Sequence, residues 1–466
     1  MRSALDHARE LAARGEDEAA KLAYLEVLSA DPTHLAALNE LGNLALAGGY
    51  RSAARTAYEQ AVRHHPGNAA ARVNLANVLR DDADSRSAQL HYAEALRLDP
   101  ELHEAHQGMA WALAETDPAR AEWHLARGFT GHALVRLPYR GPGAPGAPGG
   151  TGVPFLLLVS ARGGNIPTQL WISDRHFAVT AIHTDFYEPA VDGPLPPHAL
   201  VMNAIGDADL CGTALARAAT LLSHSTAPVI NAPELVQRTG RSDNARRLGS
   251  LPDVIAPRIE ACSAAQLLSA QDPCYPLLLR RPGFHTGRHF TYVADPGALA
   301  AAVDALLPGS AAGVAAADDT LLAIEYLDAR GADGYARKYR VMFVDGALYP
   351  LHLAISRDWK VHYFSADMAT NPAHREEERR FLEDMPAVLG PRAMAALGAI
   401  RSALALDYAG VDFALAPDGR VLLFEANATM VVFPPPPDPI WDYRRGAVDA
   451  VLAAATRMLL SRARTA

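Results

Sequence analysis

The chain has 466 residues, half of them hydrophobic and 20% charged, with a formal net charge of −9. That length predicts more than one domain, and an acidic balance without a block of basic residues argues against nucleic acid or an anionic membrane as the main partner. Cys211, Cys262 and Cys274 stand too far apart for a metal motif or a disulfide framework, and no apolar run reaches the length of a membrane span, so a cytoplasmic protein is expected.

The amino-terminal part is periodic. Pro32, Pro66 and Pro100 are spaced by 34 residues, and Ala20, Ala54 and Ala88 keep the same step. So do Tyr24, Tyr58 and Tyr92, and the small residues Ala8, Gly42 and Ala76. This period predicts a helix-turn-helix solenoid, each repeat burying its apolar face only against its neighbours. "LNELGNLALAGGYRSAARTAYEQAVRHHPGN" resembles a tetratricopeptide repeat over its whole length, and "NLANVLRDDADSRSAQLHYAEALRLDPE" is a second close match. "EAHQGMAWALAETDPARAEWHLARGF" is one residue short at its turn and lacks the terminal proline, as suits a terminal repeat. An all-α solenoid is therefore expected over residues 1–134. Its concave groove is where Asn39, Asn43, Asn74 and Asn77 would fall and where a peptide or protein partner could bind; solvated helix surface is the plainer reading of any one amide.

"RGPGAPGAPGGTG" cannot build a core, and residues 135–152 are read as a Pro/Gly-rich linker. Beyond it, the apolar segments "PFLLLVS", "HFAVTAIHT", "ALVMNAIG" and "APVINAP" alternate with the helical "GTALARAATLLSHS", which predicts an α/β layer with parallel strands. "CYPLLLRRPGFHTGRHF" then drives a buried strand into Arg280 and Arg281, followed by a loop holding Gly283, Thr286 and Gly287. Backbone N–H groups in such a loop can cradle phosphates, although a surface hairpin with exposed arginines has the same composition. "LLAIEYL" places the acid Glu325 inside an apolar run, and the next strand opens with Lys338 and Arg340.

The last strands carry the sharpest chemistry. "GVDFALAPDG" and "RVLLFEANATM" read as a hairpin. A two-residue loop at Asp418 and Gly419 sets Asp412 directly across from Glu425, and Asn427 shares the Glu425 face. Facing carboxylates repel, so a positive charge is expected between them, and neutralising either acid is expected to relieve repulsion. Three oxygen-bearing side chains on one face suit Mg²⁺ shared with substrate phosphates, the alternative being acids that point into water at a frayed strand end.

In order and in motif, residues 153–435 resemble ATP-grasp ligases, bacterial glutathione synthetases and ribosomal-protein glutamate ligases in particular. "YRVMFVDGALYP" and "FEANAT" carry the likeness most specifically, and "VMNAIGDAD" with "INAPELVQRTGRSDNARRL" resembles the preceding domain. The resemblance implies an α/β pre-ATP-grasp domain over 153–262 and an α+β ATP-grasp domain over 263–466. It further implies ATP held by Arg281, by a glycine loop containing His285, Thr286 and Gly287, and by the hinge Ile324, Glu325, Tyr326 and Leu327. Arg340 matches the arginine that stabilises the transferred phosphoryl group, and Asp412, Glu425 and Asn427 match the Mg²⁺ ligands. The chain departs from the family at Asp243-Asn244, where a lysine is usual at the second position, and at Arg281, where the central lysine has become arginine. The family's Arg-x-Asn segment is replaced by "HLAISRDWKVHYFSADM", in which His352, Arg357, Lys360 and His362 are candidates for a different substrate pocket; the plainer reading is a Trp-anchored surface hairpin. The expected activity is ADP-forming carboxylate–amine ligation; no residue stands out as a general base, since solvent can deprotonate an amine acceptor, and His352 and His362 are no more than candidates. Its rivals are a kinase that shares the phosphate-handling residues and a non-catalytic repeat scaffold.

Overall fold

The computed structural model describes residues 3–141, 152–270, 274–283, 289–307, 320–361, 363 and 366–465. The chain divides into two compact units, Met1–Leu157 with Ser173–Ala199, and Leu158–Ile172 with Leu200–Ala466.

The first unit opens with paired helices, α1 (Ala4–Ala13), α2 (Asp17–Ala30), α3 (Leu35–Ala47), α4 (Arg51–His64), α5 (Ala69–Asp81), α6 (Ser85–Leu98), α7 (His103–Leu113) and α8 (Pro118–Phe129). Asn68, Asp84 and Asp117 cap α5, α6 and α8 by accepting from backbone N–H groups of the first turn. The periodic tyrosines are buried, and a Cβ at Gly42 or Gly108 would collide with the ring of Tyr58 or Tyr92. A buried phenol must find an acceptor. Tyr58 donates to Asn43 Oδ1 (2.7 Å) and Tyr92 to Asn77 Oδ1 (2.6 Å). These two asparagines therefore hold the helix pairs together and are not spare groove amides. Asn43 still borders a groove of about 640 Å³, beside Asn39 and Asn74, which bond to each other at 3.2 Å.

Between α7 and α8 two buried histidines meet, His106 Nδ1 to His124 Nδ1 at 2.8 Å, while His106 Nε2 lies 3.0 Å from the Pro100 carbonyl. A carbonyl only accepts, so His106 carries its proton on Nε2 and its Nδ1 accepts from His124. Burial, then His106, Arg120 and Arg127, push the His124 pKa down to about 4. The unfolded chain thus binds a proton at His124 before the folded chain does, and stability falls with pH from about 6.5 downward. The drop in melting temperature between about pH 7 and about pH 5 should shrink in His124→Asn, which keeps a hydrogen-bonding group but cannot titrate. An equal drop in both proteins would refute this assignment.

The repeats continue into β1 (Leu134–Arg136), so the expected linker begins with a strand; its residues 142–151 lie outside the described residues. After β2 (Val153–Val159), β3 (Phe177–His183) pairs antiparallel with β1, and His183 packs 4.5 Å from Phe129 of α8.

In the second unit β4 (Leu200–Asn203) and β5 (Val229–Ile230) pair in parallel, as the sequence predicts. Two sheets follow, built from β6 (Val254–Ile255), β7 (Ile259–Ser263), β8 (Leu277–Arg280), β9 (Phe290–Val293), β10 (Thr320–Glu325), β11 (Ala336–Val344), β12 (Ala347–Ser356), β13 (Tyr408–Leu415) and β14 (Val421–Asn427). Their orders are β7-β10-β8-β9 and β12-β11-β13-β14-β6, antiparallel except where β6 runs beside β14. Tyr339 of β11 stacks on Phe413 of β13 (5.4 Å) and meets Phe381 of the helix Pro372–Glu383 (5.1 Å), which fixes the helix-covered face of the larger sheet. Strand alternation then turns Lys338, Arg340 and Asp412 to the opposite face. Among the described residues no helix is long and apolar enough to cross a membrane.

The β13–β14 hairpin departs from the predicted two-residue loop. The Ala416 N–H donates to Arg420 O and the Gly419 N–H to Ala416 O, both at 2.9 Å, so Pro417, Asp418 and Gly419 form a three-residue loop with Gly419 at φ +80°. Leu415 consequently faces Val421, not Leu422. Further along, Phe424 is an extra residue between the pairs Phe413–Leu423 and Asp412–Glu425, and this bulge returns Asp412 to its place opposite Glu425.

Candidate active site

One rung crosses the larger sheet. His352 pairs with Arg340, Arg340 with Asp412, and Asp412 with Glu425, so four chemically active side chains from four strands share one face. Asp412 is only 3% exposed and receives Arg340 bidentately, Nε to Oδ1 at 2.6 Å and Nη2 to Oδ2 at 2.8 Å, with Lys338 Nζ at 3.1 Å. Glu425 receives Arg241 Nη2 at 2.5 Å and Asn427 Nδ2 at 2.9 Å. The positive charge expected between the two acids is therefore supplied by Arg340, Lys338 and Arg241. The expectation that neutralising Asp412 relieves repulsion is reversed, because its removal would leave cations unpaired.

The electrostatics follow from this arrangement. Burial by itself would raise the Asp412 pKa, but Arg340 and Lys338 outweigh it and hold the carboxyl far below its ordinary range. His352 is pushed well below the usual imidazole value by burial and then by Arg340, and it is neutral near pH 7. Arg280 is lowered to about 10 by burial and by Arg241.

These groups line one cavity of about 660 Å³ within the second unit. Its lining gathers apolar and aromatic side chains, Leu278, Phe290, Ile324, Tyr326, Leu327 and Trp359, and charged ones, Arg241, Arg280, Lys338 and Arg340 with Asp412 and Glu425. Trp359 joins these aromatic residues from the segment after β12, its ring 5.4 Å from Phe290 and 5.5 Å from Tyr292.

Of the residues singled out in the sequence, the cavity brings together Ile324, Glu325, Tyr326, Leu327, Arg340, His352, Lys360, Asp412, Glu425 and Asn427. Glu325 is engaged by its neighbour strand, its Oε2 accepting the Arg258 N–H at 3.0 Å. Arg280, not Arg281, faces the cavity; Arg281 follows the strand end, its N–H bonded to His289 O. Arg357 is away from it, bonded to Tyr335 Oη at 2.9 Å. His285, Thr286, Gly287 and His362 lie outside the described residues. Sequence reasoning missed Arg241 and Arg444. Asn244, at the departing Asp-Asn pair, donates to the Ala426 carbonyl and ties the helix Arg241–Leu248 to β14, which brings Arg241 over Glu425.

The donor chemistry of Glu425 and Asn427, a carboxylate beside an amide, fits a hard cation whose other ligands are phosphate oxygens. Asp412 fits less directly, since both its oxygens are held by Arg340, and Asn427 Oδ1 accepts from the Thr429 N–H and hydroxyl at 3.0 Å. No group of three or more His, Cys, Asp and Glu side chains gathers among the described residues.

No family model matches the chain, and no curated protein matches its sequence. Among solved structures, YrrB, described as a TPR protein with an unusual peptide-binding site, is 23% identical over 28% of this chain and 69% of that chain, with a TM-score of 0.26. MamA from Desulfovibrio magneticus is also 23% identical, over 27% of this chain and 72% of that chain, with a TM-score of 0.25. A RimK domain protein ATP-grasp from Sphaerobacter thermophilus is 17% identical over 66% of this chain and 99% of that chain, with a TM-score of 0.41. Likenesses at this level assign no role to any residue.

Proposed function

We propose that the chain is an ATP- and Mg²⁺-dependent carboxylate–amine ligase working through an acyl phosphate, with the helical repeats recruiting a peptide or protein partner. The observation that carries this reading is one cavity lined by both aromatic side chains and a group of cations and crossed by the His352–Arg340–Asp412–Glu425 rung. The apolar and aromatic side chains suit a planar base, with Ile324 to Leu327 as its hinge, and Arg280, Lys338 and Arg340 suit a triphosphate. Mg²⁺ beside Glu425 and Asn427 would offset phosphate charge and polarise the γ-phosphoryl group.

In this reading a substrate carboxylate oxygen attacks the γ-phosphorus and the bond to the β–γ bridging oxygen breaks, so ADP leaves with the electron pair. Arg340 is fixed in orientation by its two bonds to Asp412 and stabilises charge on the transferring group. The amine then displaces phosphate and forms the amide.

An ADP-release screen of acids and amines, singly and in pairs, identifies substrates. The acid so found, labelled with ¹⁸O in its carboxylate, should pass a single label into inorganic phosphate with ADP as the nucleotide product. Label in AMP would sink the acyl-phosphate mechanism. ADP release with no label transfer would favour the kinase instead.

A further inference from the structure

One wall of the cavity joins the His352 end of the rung to residues outside it. Glu378, in the helix Pro372–Glu383, is 0% exposed and accepts from Tyr443 Oη (2.5 Å), Tyr363 Oη (3.2 Å) and the Leu353 N–H (3.2 Å). Arg444 Nε completes its surroundings at 3.3 Å. That pair, together with the Tyr363 ring 4.0 Å from its guanidinium, fixes Arg444, which is 7% exposed and lines the cavity. Among the described residues Arg444 has this ion pair but no well-directed hydrogen bond, and its buried Nε is left without one. His352 is 6% exposed, its Nδ1 is likewise unpartnered, and its ring lies 4.9 Å from that of Tyr363. Buried donors and acceptors left unmet cost stability unless something fills them. A guanidinium beside an imidazole is filled best by a carboxylate, which accepts two parallel N–H bonds.

The surroundings narrow the class of acid. Met430, Val431, Phe433 and Pro434 to Pro436 line the same cavity and offer apolar contact to the body of a ligand. The carboxylates within reach are already committed: Glu378 to Arg444 and two tyrosines, Asp412 to Arg340 and Lys338, Glu425 to Arg241. The cavity's other acid among the described residues, Glu325, ends β10 and accepts the Arg258 N–H, so no uncommitted carboxylate is paired there with Arg444 or His352 to receive an ammonium group.

We propose that Arg444 and His352 bind the carboxylate of an organic acid that has an apolar body and no ammonium group beside that carboxylate. This rests on the ligase reading, in which the acid is the group phosphorylated. His352 pairs with Arg340 across β11 and β12, which puts the carboxylate subsite on the strand next to the one whose guanidinium would face the phosphoryl group.

The test is calorimetric titration of the full chain with phenylpropionate and isovalerate. Their comparators are phenylalanine and valine, which add only the ammonium group, and phenylpropionamide, which removes the charge. Binding of a fluorescent ATP analogue is followed on the same preparations. Both acids should bind, the amide and the amino acids at least about tenfold more weakly, and Arg444→Lys should weaken the acids by about tenfold while sparing the nucleotide. Because Arg444→Met alone would strand Glu378, the double variant Arg444→Met/Glu378→Gln is the second test and should show the same loss. Acids that bind no better than their amides or amino acids, or that bind both variants unchanged, would overturn the proposal. Acid binding without nucleotide binding would uphold this subsite and sink the ligase reading instead.

Discussion

Asp412→Asn is expected to destabilise the protein by roughly 3–5 kcal/mol, the range for removing one partner of a buried ion pair. The substitution is nearly isosteric, so packing is not what changes. What changes is that Arg340 and Lys338, held at 2.6 and 3.1 Å and mostly buried, face a neutral amide. From the sequence alone the opposite sign follows, since two facing acids should gain from losing a charge. Denaturant melts without Mg²⁺ separate the two views, and a midpoint equal to or above wild type would refute the pairing. Adding Lys338→Met should recover part of the loss, because one of the stranded cations is then gone. The pH dependence follows the same logic. A carboxyl with a depressed folded pKa contributes stability that is present above its unfolded value of about 3.9 and lost as pH falls through the lower folded value. The pair should therefore persist at about pH 4, and acid unfolding through this site should begin only below it.

Arg280→Met should weaken binding of an ATP analogue by about tenfold or more, whereas Arg281→Met should change it by less than about twofold; charge-assisted hydrogen bonds of 1.5–3 kcal/mol set that scale. Arg280 is 8% exposed and lies 5.5 Å from the Phe290 ring; burial, and then repulsion from Arg241, lower its pKa to about 10. An incoming triphosphate would relieve that repulsion. By the same argument Arg280→Met should leave the ligand-free protein as stable as wild type or slightly more so. Equilibrium titration of both variants decides, and the reverse ranking would return the phosphate role to Arg281.

Arg281 was singled out by the resemblance, as the basic residue before Pro282, and the strand pattern could not correct it. In "PLLLRR" the three positions before the arginines are all leucine, so period-two alternation cannot be seen. The strand is apolar on both faces because Leu277 and Leu279 enter a core while Leu278 lines the cavity. Arg241 was hidden for another reason: its partner Glu425 is 184 residues away, and no local pattern announces such a contact. The Asp412–Glu425 pairing was legible, yet the expected loop is one residue too short and the bulge at Phe424 absorbs the difference. The repeats were legible from Pro, Ala and Tyr spacing because each unit meets the same packing problem again. The duties of Asn43 and Asn77 were not, since a groove amide and a tyrosine acceptor have the same composition.

The tyrosine–asparagine bonds also bear on how such an array can change length. Asn43 and Tyr58 lie in α3 and α4, and Asn77 and Tyr92 in α5 and α6, so each bond closes inside one helix pair. Excising a whole 34-residue unit takes donor and acceptor together, and duplicating one supplies both. Neither event orphans a buried hydroxyl, whereas a break between the two helices of a pair strands one. Whole repeats are thus units of inheritance as well as of folding, and the array can grow or shrink without any compensating substitution at these positions.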